Sequence, residues 1–224
     1  MGIHRIAAAS SHEEKEFVTG SLILIVLLAY LLGSFPTAYL VGTVNGIDLR
    51  TVGSGNLGAT NVMRTLGWKW GLIVYVVDFA KGVVPVTVFP LLVSGAPVWL
   101  PMVAGTVAIL GHVKPVFLLG RGGGKGVATA SGVFVGLAPI PAAAAIAAFA
   151  VVVALTRYVS LGSIIGAVVL AVVLHGTTPG APVAWLGTGI AVFVIVTHRD
   201  NIRRLLRGEE RRIGGSASAG GGAS

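Results

Sequence analysis

Long apolar runs separated by short polar clusters set the pattern of this chain. Cut at proline, glycine and charged positions, the apolar stretches fall at about 20–44, 67–92, 97–117, 126–140, 141–156, 160–176 and 182–198. A helix that crosses a bilayer needs roughly 20 such residues, or about 17 at the short end. The pattern predicts an all-α integral membrane bundle of seven transmembrane helices. The fourth and fifth runs are one long stretch split by Pro139-Ile-Pro141, which reads as a tight helical hairpin. A single tilted helix over 126–156 is the rival reading.

The basic residues choose an orientation. With the N-terminus outside and seven crossings, Arg50, Arg64, Lys69, Lys114, Arg121, Lys125 and Arg157 all fall inside, together with the tail from Arg199 to Arg212. The outer turns near 93–96, 139–141 and 177–181 then contain no Lys or Arg, as the positive-inside rule requires. A six-crossing arrangement puts either Arg157 or the basic tail on the wrong side. Residues 1–19 read as a polar outer tail, 20–212 as the seven-helix domain and 213–224 as a disordered Gly/Ser/Ala tail. In NIRRLLRGEERRI, Ile202, Leu205 and Leu206 recur at helical spacing among arginines, which suits a helix lying on the inner leaflet.

Composition agrees. Of 224 residues, 54% are hydrophobic and 11% charged, against about a quarter charged in soluble domains. The net charge of +8 is then explained by inside loops rather than by nucleic acid. There is no cysteine, which excludes disulfides, thiolate metal sites and cysteine nucleophiles together. Neither HExxH nor a carboxylate cluster suggests a metal.

Three glycine- or amide-rich segments share the inner face: VGSGNLGATNVMR, GHVKPVFLLGRGGGKGVATASG and THRDNIRRL. Successive N–H groups in a glycine turn form an anion-binding concavity, and a following helix N-terminus adds partial positive charge. Arg121 and Lys125 flank such a turn. The GxxxxGK[ST] spacing and preceding strand of a nucleotide-binding P-loop are missing, so nucleotide hydrolysis is rejected. Taken singly, each feature has a plainer account: glycines pack helices, histidines bond at interfaces, and Asp78 and Lys81 pair with one another. Their convergence on one face is what those accounts leave unexplained. A transporter for a phosphorylated anion would use the same basic vestibule, but no internal repeat of two related halves is evident. A purely structural membrane module is a third reading.

These three loops closely resemble the signature loops of the bacterial acyl-phosphate:glycerol-3-phosphate acyltransferase (PlsY) family. GSFPTAYLVG, IDLRTVGSGN, DFAKG and RYVSLGS extend the likeness over roughly residues 20 to 210. One departure is that Gly122, Gly123 and Gly124 precede Lys125, where the family usually has two glycines. The resemblance implies an enzyme of the bacterial inner membrane whose site faces the cytoplasm. It would move a fatty acyl group from acyl phosphate to the 1-hydroxyl of glycerol 3-phosphate, giving lysophosphatidic acid and phosphate, without a cofactor.

By the same resemblance, Ser54, Asn56, Lys125, His198 and Asn201 are the expected catalytic positions. Ser34, Arg50, Ser160 and Ser163 would help bind glycerol 3-phosphate, and Thr60 and Asn61 would shape the first loop with Gly53 and Gly55. Gly122, Gly123, Gly124 and Gly126 would offer backbone donors to a phosphate, with Arg64, His112 and Thr129 as further contacts. The HxxxxD arrangement of acyl-CoA-dependent acyltransferases is absent, since Asp200 lies only two residues from His198. A substrate phosphate is then the preferred proton acceptor, with His112 and His198 as alternatives.

Overall fold

The computed structural model describes residues 2–214, with side chains from residue 18 onward; most of the expected Gly/Ser/Ala tail lies outside the described residues. The described residues form α1 (Gly2–Ser34), α2 (Thr37–Val44), α3 (Ala59–Leu66), α4 (Trp68–Thr87), α5 (Leu100–Val113), α6 (Val127–Leu137), α7 (Pro139–Thr156), α8 (Val159–Thr177), α9 (Pro182–Thr197) and α10 (Arg199–Leu206). Short 3₁₀ turns follow α4 at Phe89–Leu92 and α5 at Val116–Leu118.

Every expected apolar run contains helix, with instructive differences. The first run is broken at Phe35-Pro36, where proline lacks the N–H that a continuous helix needs. The run 126–156 is two helices rather than one, and the break falls at Ala138, just before the prolines. Pro139 opens α7 at its first position, where a missing N–H costs nothing. The polar stretch expected to be loop up to residue 67 contains α3. Five helical segments among the described residues are long and apolar enough to cross a bilayer, or six if α9 and α10, bent by 60°, count as one. With only 11 residues, α6 is about 16 Å long at a rise of 1.5 Å per residue, roughly half a hydrocarbon core.

Close approach of backbones holds the bundle together. A Cβ at Gly33 of α1 would strike the carbonyl of Ala108 on α5, and one at Gly111 of α5 would strike that of Tyr30 on α1. The α4–α6 contact has the same reciprocal form, Gly82 against Thr129 and Gly132 against Phe79. Such contacts suit a lipid solvent, in which apolar burial gives helices no reason to associate and dispersion between small residues does. Outward positions are apolar, with Leu155, Val172 and Trp185 largely exposed. Inside, Lys81 Nζ donates to Asp78 Oδ1 (2.6 Å) and to the carbonyl of Phe35 at the α1–α2 break. The pair expected from the sequence therefore forms.

Replacing Gly132 by Ala wedges α4 and α6 apart and should destabilise the protein by about 1–3 kcal/mol. Gly189→Ala on α9, which meets open space, should leave the thermal midpoint in detergent nearly unchanged. Equal midpoints for the two variants would show that α4 and α6 do not touch through their backbones.

Candidate active site

The three polar segments converge. A partly open cavity of about 140 Å³ is lined by Ser54, Asn56, Thr60, Asn61 and Arg64 from the first segment, His112, Lys125 and Gly126 from the second, and His198 and Asn201 from the third. Ser160 and Ser163 of α8 and Glu210 complete its polar wall.

The first segment is organised around Asn61, which is almost wholly buried. Its Oδ1 accepts the Ser54 N–H (2.8 Å), and its Nδ2 donates to the carbonyls of Leu49 and Val52 (3.1 and 3.2 Å). Asn61 therefore winds the loop, leaving Asn56 and Thr60 to face the cavity. Gly53, at φ +62°, packs on Asn61 Oδ1 and admits no side chain. Arg64 donates through Nη2 to the Arg211 carbonyl (2.8 Å), while its Nε is buried with no partner. Burial pushes this guanidinium below its ordinary value, and Glu210 partly offsets the effect.

Glu210 joins the other two segments. Its Oε1 accepts Asn201 Nδ2 (2.6 Å) and Ser160 Oγ (2.9 Å), and its Oε2 accepts Arg204 Nε (2.7 Å). Burial raises its pKa, but hydrogen bonds from Asn201, Arg204 and Ser160 outweigh that and keep the carboxyl below its usual range. Asn201 Oδ1 accepts Lys125 Nζ, so an ordered chain runs from lysine to amide to carboxylate. Burial depresses Lys125 to about 8, against the pull of Glu210.

His198 sits at the bend between α9 and α10, and its Nδ1 lies 2.8 Å from the carbonyl of Val194. A carbonyl only accepts, so Nδ1 carries the proton and Nε2 is left as an acceptor. At the start of α6, Gly126 is left-handed (φ +81°) and no side chain caps the helix. The cavity reaches Gly126, Val127 and Ala128, so unbonded first-turn amides lie on its edge.

Several expected contacts lie elsewhere. Thr129 is fully buried and donates to the Asp78 carbonyl (2.9 Å), joining α4 to α6 outside the cavity. Ser34, Gly122, Gly123 and Gly124 line a smaller neighbouring pocket that shares Asp78 and His112 with the main one. Arg50 is half exposed and pairs with Asp48 (2.8 Å), whose carboxyl the Arg50 side chain and backbone N–H hold at about 2. Its stem lies over Gly122. Gly55 supports the loop against the Arg50 carbonyl. Ser163 lines the cavity while its hydroxyl donates to Val159.

Sequence reasoning missed Glu210, Tyr75 and Phe149. Nothing in GEERRI separates Glu210 from Glu209. Tyr75 and Phe149 sit inside apolar helices and reveal themselves only where an apolar groove meets the cavity. That groove, about 90 Å³, runs between α6, α7 and α8 past Ala130, Phe134, Ala145 and Leu170, and it shares Tyr75, Val127, Phe149 and Ser163 with the polar cavity.

Known proteins resemble this chain in sequence and fold. The family model described as glycerol-3-phosphate acyltransferase matches residues 23–208. The glycerol-3-phosphate acyltransferase of Anaeromyxobacter sp. (strain K) is 46% identical over 195 residues, covering 85% of this chain and 96% of the relative. Two crystal structures of PlsY, an integral membrane glycerol 3-phosphate acyltransferase, superpose over 87% of this chain and 96% of theirs. The glycerol 3-phosphate form gives a TM-score of 0.81 at 39% identity, and the lysophosphatidic acid form 0.78 at 37%. On the family match, the shared identity, the common fold and the apolar helices, the chain is a multi-pass membrane protein that belongs to the glycerol-3-phosphate acyltransferase family.

Proposed function

We propose that this acyltransferase of phospholipid synthesis takes its acyl group from acyl phosphate and places it on the 1-hydroxyl of glycerol 3-phosphate, releasing lysophosphatidic acid and phosphate. The observation that carries the reading is the junction of a cationic, amide-lined cavity with an apolar groove through Tyr75, Val127, Phe149 and Ser163. A phosphorylated polyol fits the first and a fatty chain the second, so their reacting ends meet at the shared wall.

The choice of donor accords with the hydroxyls that line the site. Ser160 bonds to Glu210 and Ser163 to a backbone carbonyl, and neither hydroxyl is paired with a histidine. With no hydroxyl–histidine hydrogen bond among the described residues that line the cavity, the reading is a direct transfer without an acyl intermediate. Direct transfer suits a donor that arrives activated, as a mixed anhydride does. The hydroxyl oxygen attacks the acyl carbon, the ester bond forms, the bond to the phosphate oxygen breaks, and the departing phosphate takes the hydroxyl proton. Lys125, the unpartnered Arg64 Nε and the first amides of α6 stabilise charge growing on carbonyl and phosphate oxygens. Lys125, Asn201 and His198 hold glycerol 3-phosphate, and positioning supplies much of the rate. Seven passes, with α6 as a short one, put the N-terminus outside and the site on the cytoplasmic face of a bacterial inner membrane, in keeping with the distribution of Lys and Arg.

Purified protein given acyl phosphate and glycerol 3-phosphate should make lysophosphatidic acid and one equivalent of phosphate without acyl-CoA or acyl carrier protein. A well-folded sample that makes none sinks this reading. Lys125→Met should lower kcat/KM by about 10²–10³-fold. With a pKa of about 8, Lys125 is cationic below that pH and neutral above it, so kcat/KM should fall as pH rises through 8. Lys125→Arg should move that fall to higher pH; an unchanged profile would assign the limb to another group. Thiol labelling of single-cysteine variants at Asn56, Lys125 and Asn201 should place all three on one face of the membrane.

A further inference from the structure

Acyl transfer as described uses neither Asp78 nor Lys81, yet both are buried in α4. Ions inside membrane helices are costly, and a buried pair of isolated charges is weak stabilisation at best. This pair does more than neutralise itself. Asp78 Oδ1 gathers Lys81 Nζ at 2.6 Å, Thr37 Oγ1 at 3.2 Å and His112 Nδ1 at 3.7 Å. Lys81 also donates to the Phe35 carbonyl, and Thr129 donates to the Asp78 carbonyl. The carboxylate is thereby fixed by Thr37 of α2 and by Lys81, which is itself tied to the α1–α2 break, while the backbone behind it is held to α6.

The His112 ring has two unlike sides. Nδ1 faces a carboxylate, which at that distance makes no hydrogen bond but favours a ring proton on the near nitrogen. Nε2 packs against Gly124, where an added Cβ would collide with it. Gly124 immediately precedes Lys125, and His112 lines both the polar cavity and the smaller pocket in which the buried Ser34 Oγ has no partner.

We infer that Asp78 is a positioning residue: locked by Lys81 and Thr37, it fixes His112 with the proton on Nδ1 and presents Nε2 beside the glycine turn as a hydrogen-bond acceptor for a hydroxyl of glycerol 3-phosphate. This rests on the acyl-transfer reading, and it assigns His112 an orienting contact while the departing phosphate takes the proton. Glycerol 3-phosphate brings two hydroxyls, so one can be held while the other reacts. Gly124 is part of the device, since any side chain there displaces the ring.

Two measurements test it. Nitrogen-15 NMR of histidine-labelled wild-type protein, with His112 assigned by its loss in His112→Gln, should show the Nδ1–H tautomer; an Nε2–H tautomer overturns the inference whatever the variants do. The second is the neutral, shape-conserving double variant Asp78→Asn/Lys81→Met. Its amide can donate to Nδ1 and release the tautomer. It should keep the wild-type thermal midpoint within a few degrees, shift the His112 resonance, and lose about tenfold to hundredfold in kcat/KM for glycerol 3-phosphate. Activity within about twofold of wild type would make the pair structural only. If the wild-type protein forms no lysophosphatidic acid, the acyl-transfer reading fails instead, which the NMR result distinguishes.

Discussion

Glu210 is the anion around which a crowd of cations is arranged. Arg204 bonds it directly, Lys125 reaches it through Asn201, and Arg64 feels its charge. Glu210 is buried and Lys125 and Arg64 are partly buried near it, so without the carboxylate the cations would repel one another and that burial would go uncompensated. With it, a cavity rich in donors can stand ready before any phosphate arrives. Its donors are already aimed, and little reorganisation is left for the moment of reaction.

The same carboxylate ties distant parts of the chain together. Residues beyond α10 fold back so that Ile213 N–H donates to the Arg157 carbonyl (2.9 Å) and Arg212 lies over the Tyr158 ring at 5.1 Å. Arg64 of α3 holds the Arg211 carbonyl. The strap thus joins α3, the α7–α8 turn and α10 around one opening, while glycine contacts fix the helices behind it. Rigid walls and a polar mouth are complementary: the walls are apolar, and the mouth gathers the charged and amide groups.

The apolar helices were legible because hydrophobic runs and prolines report directly on helix extent and breaks. Family motifs marked the three segments that meet. What pattern could not reveal was the division of labour within a motif. Asn61, expected to shape the first loop, is its spool, through three bonds that the motif does not specify; Thr129, expected to touch substrate, instead joins α4 to α6. A side-chain amide or hydroxyl in sequence does not disclose its partner. Likewise α3 hides in a polar stretch, because Val62 gains meaning only when Val74 of α4 and Leu57 cover it. Glu210 was invisible for a related reason, since its burial depends on a fold-back that no local periodicity encodes.

Order along the chain adds a consequence for biosynthesis. Lys125, Arg64 and Arg204 all precede Glu210, so a ribosome delivers the cations before their counter-ion. Until the fold-back segment has emerged, the half-built mouth carries uncompensated positive charge beside the lipid headgroups. The site therefore cannot be complete until Glu210 has followed the ten described helices, and a chain truncated just beyond α10 would keep the cations and lack their counter-ion.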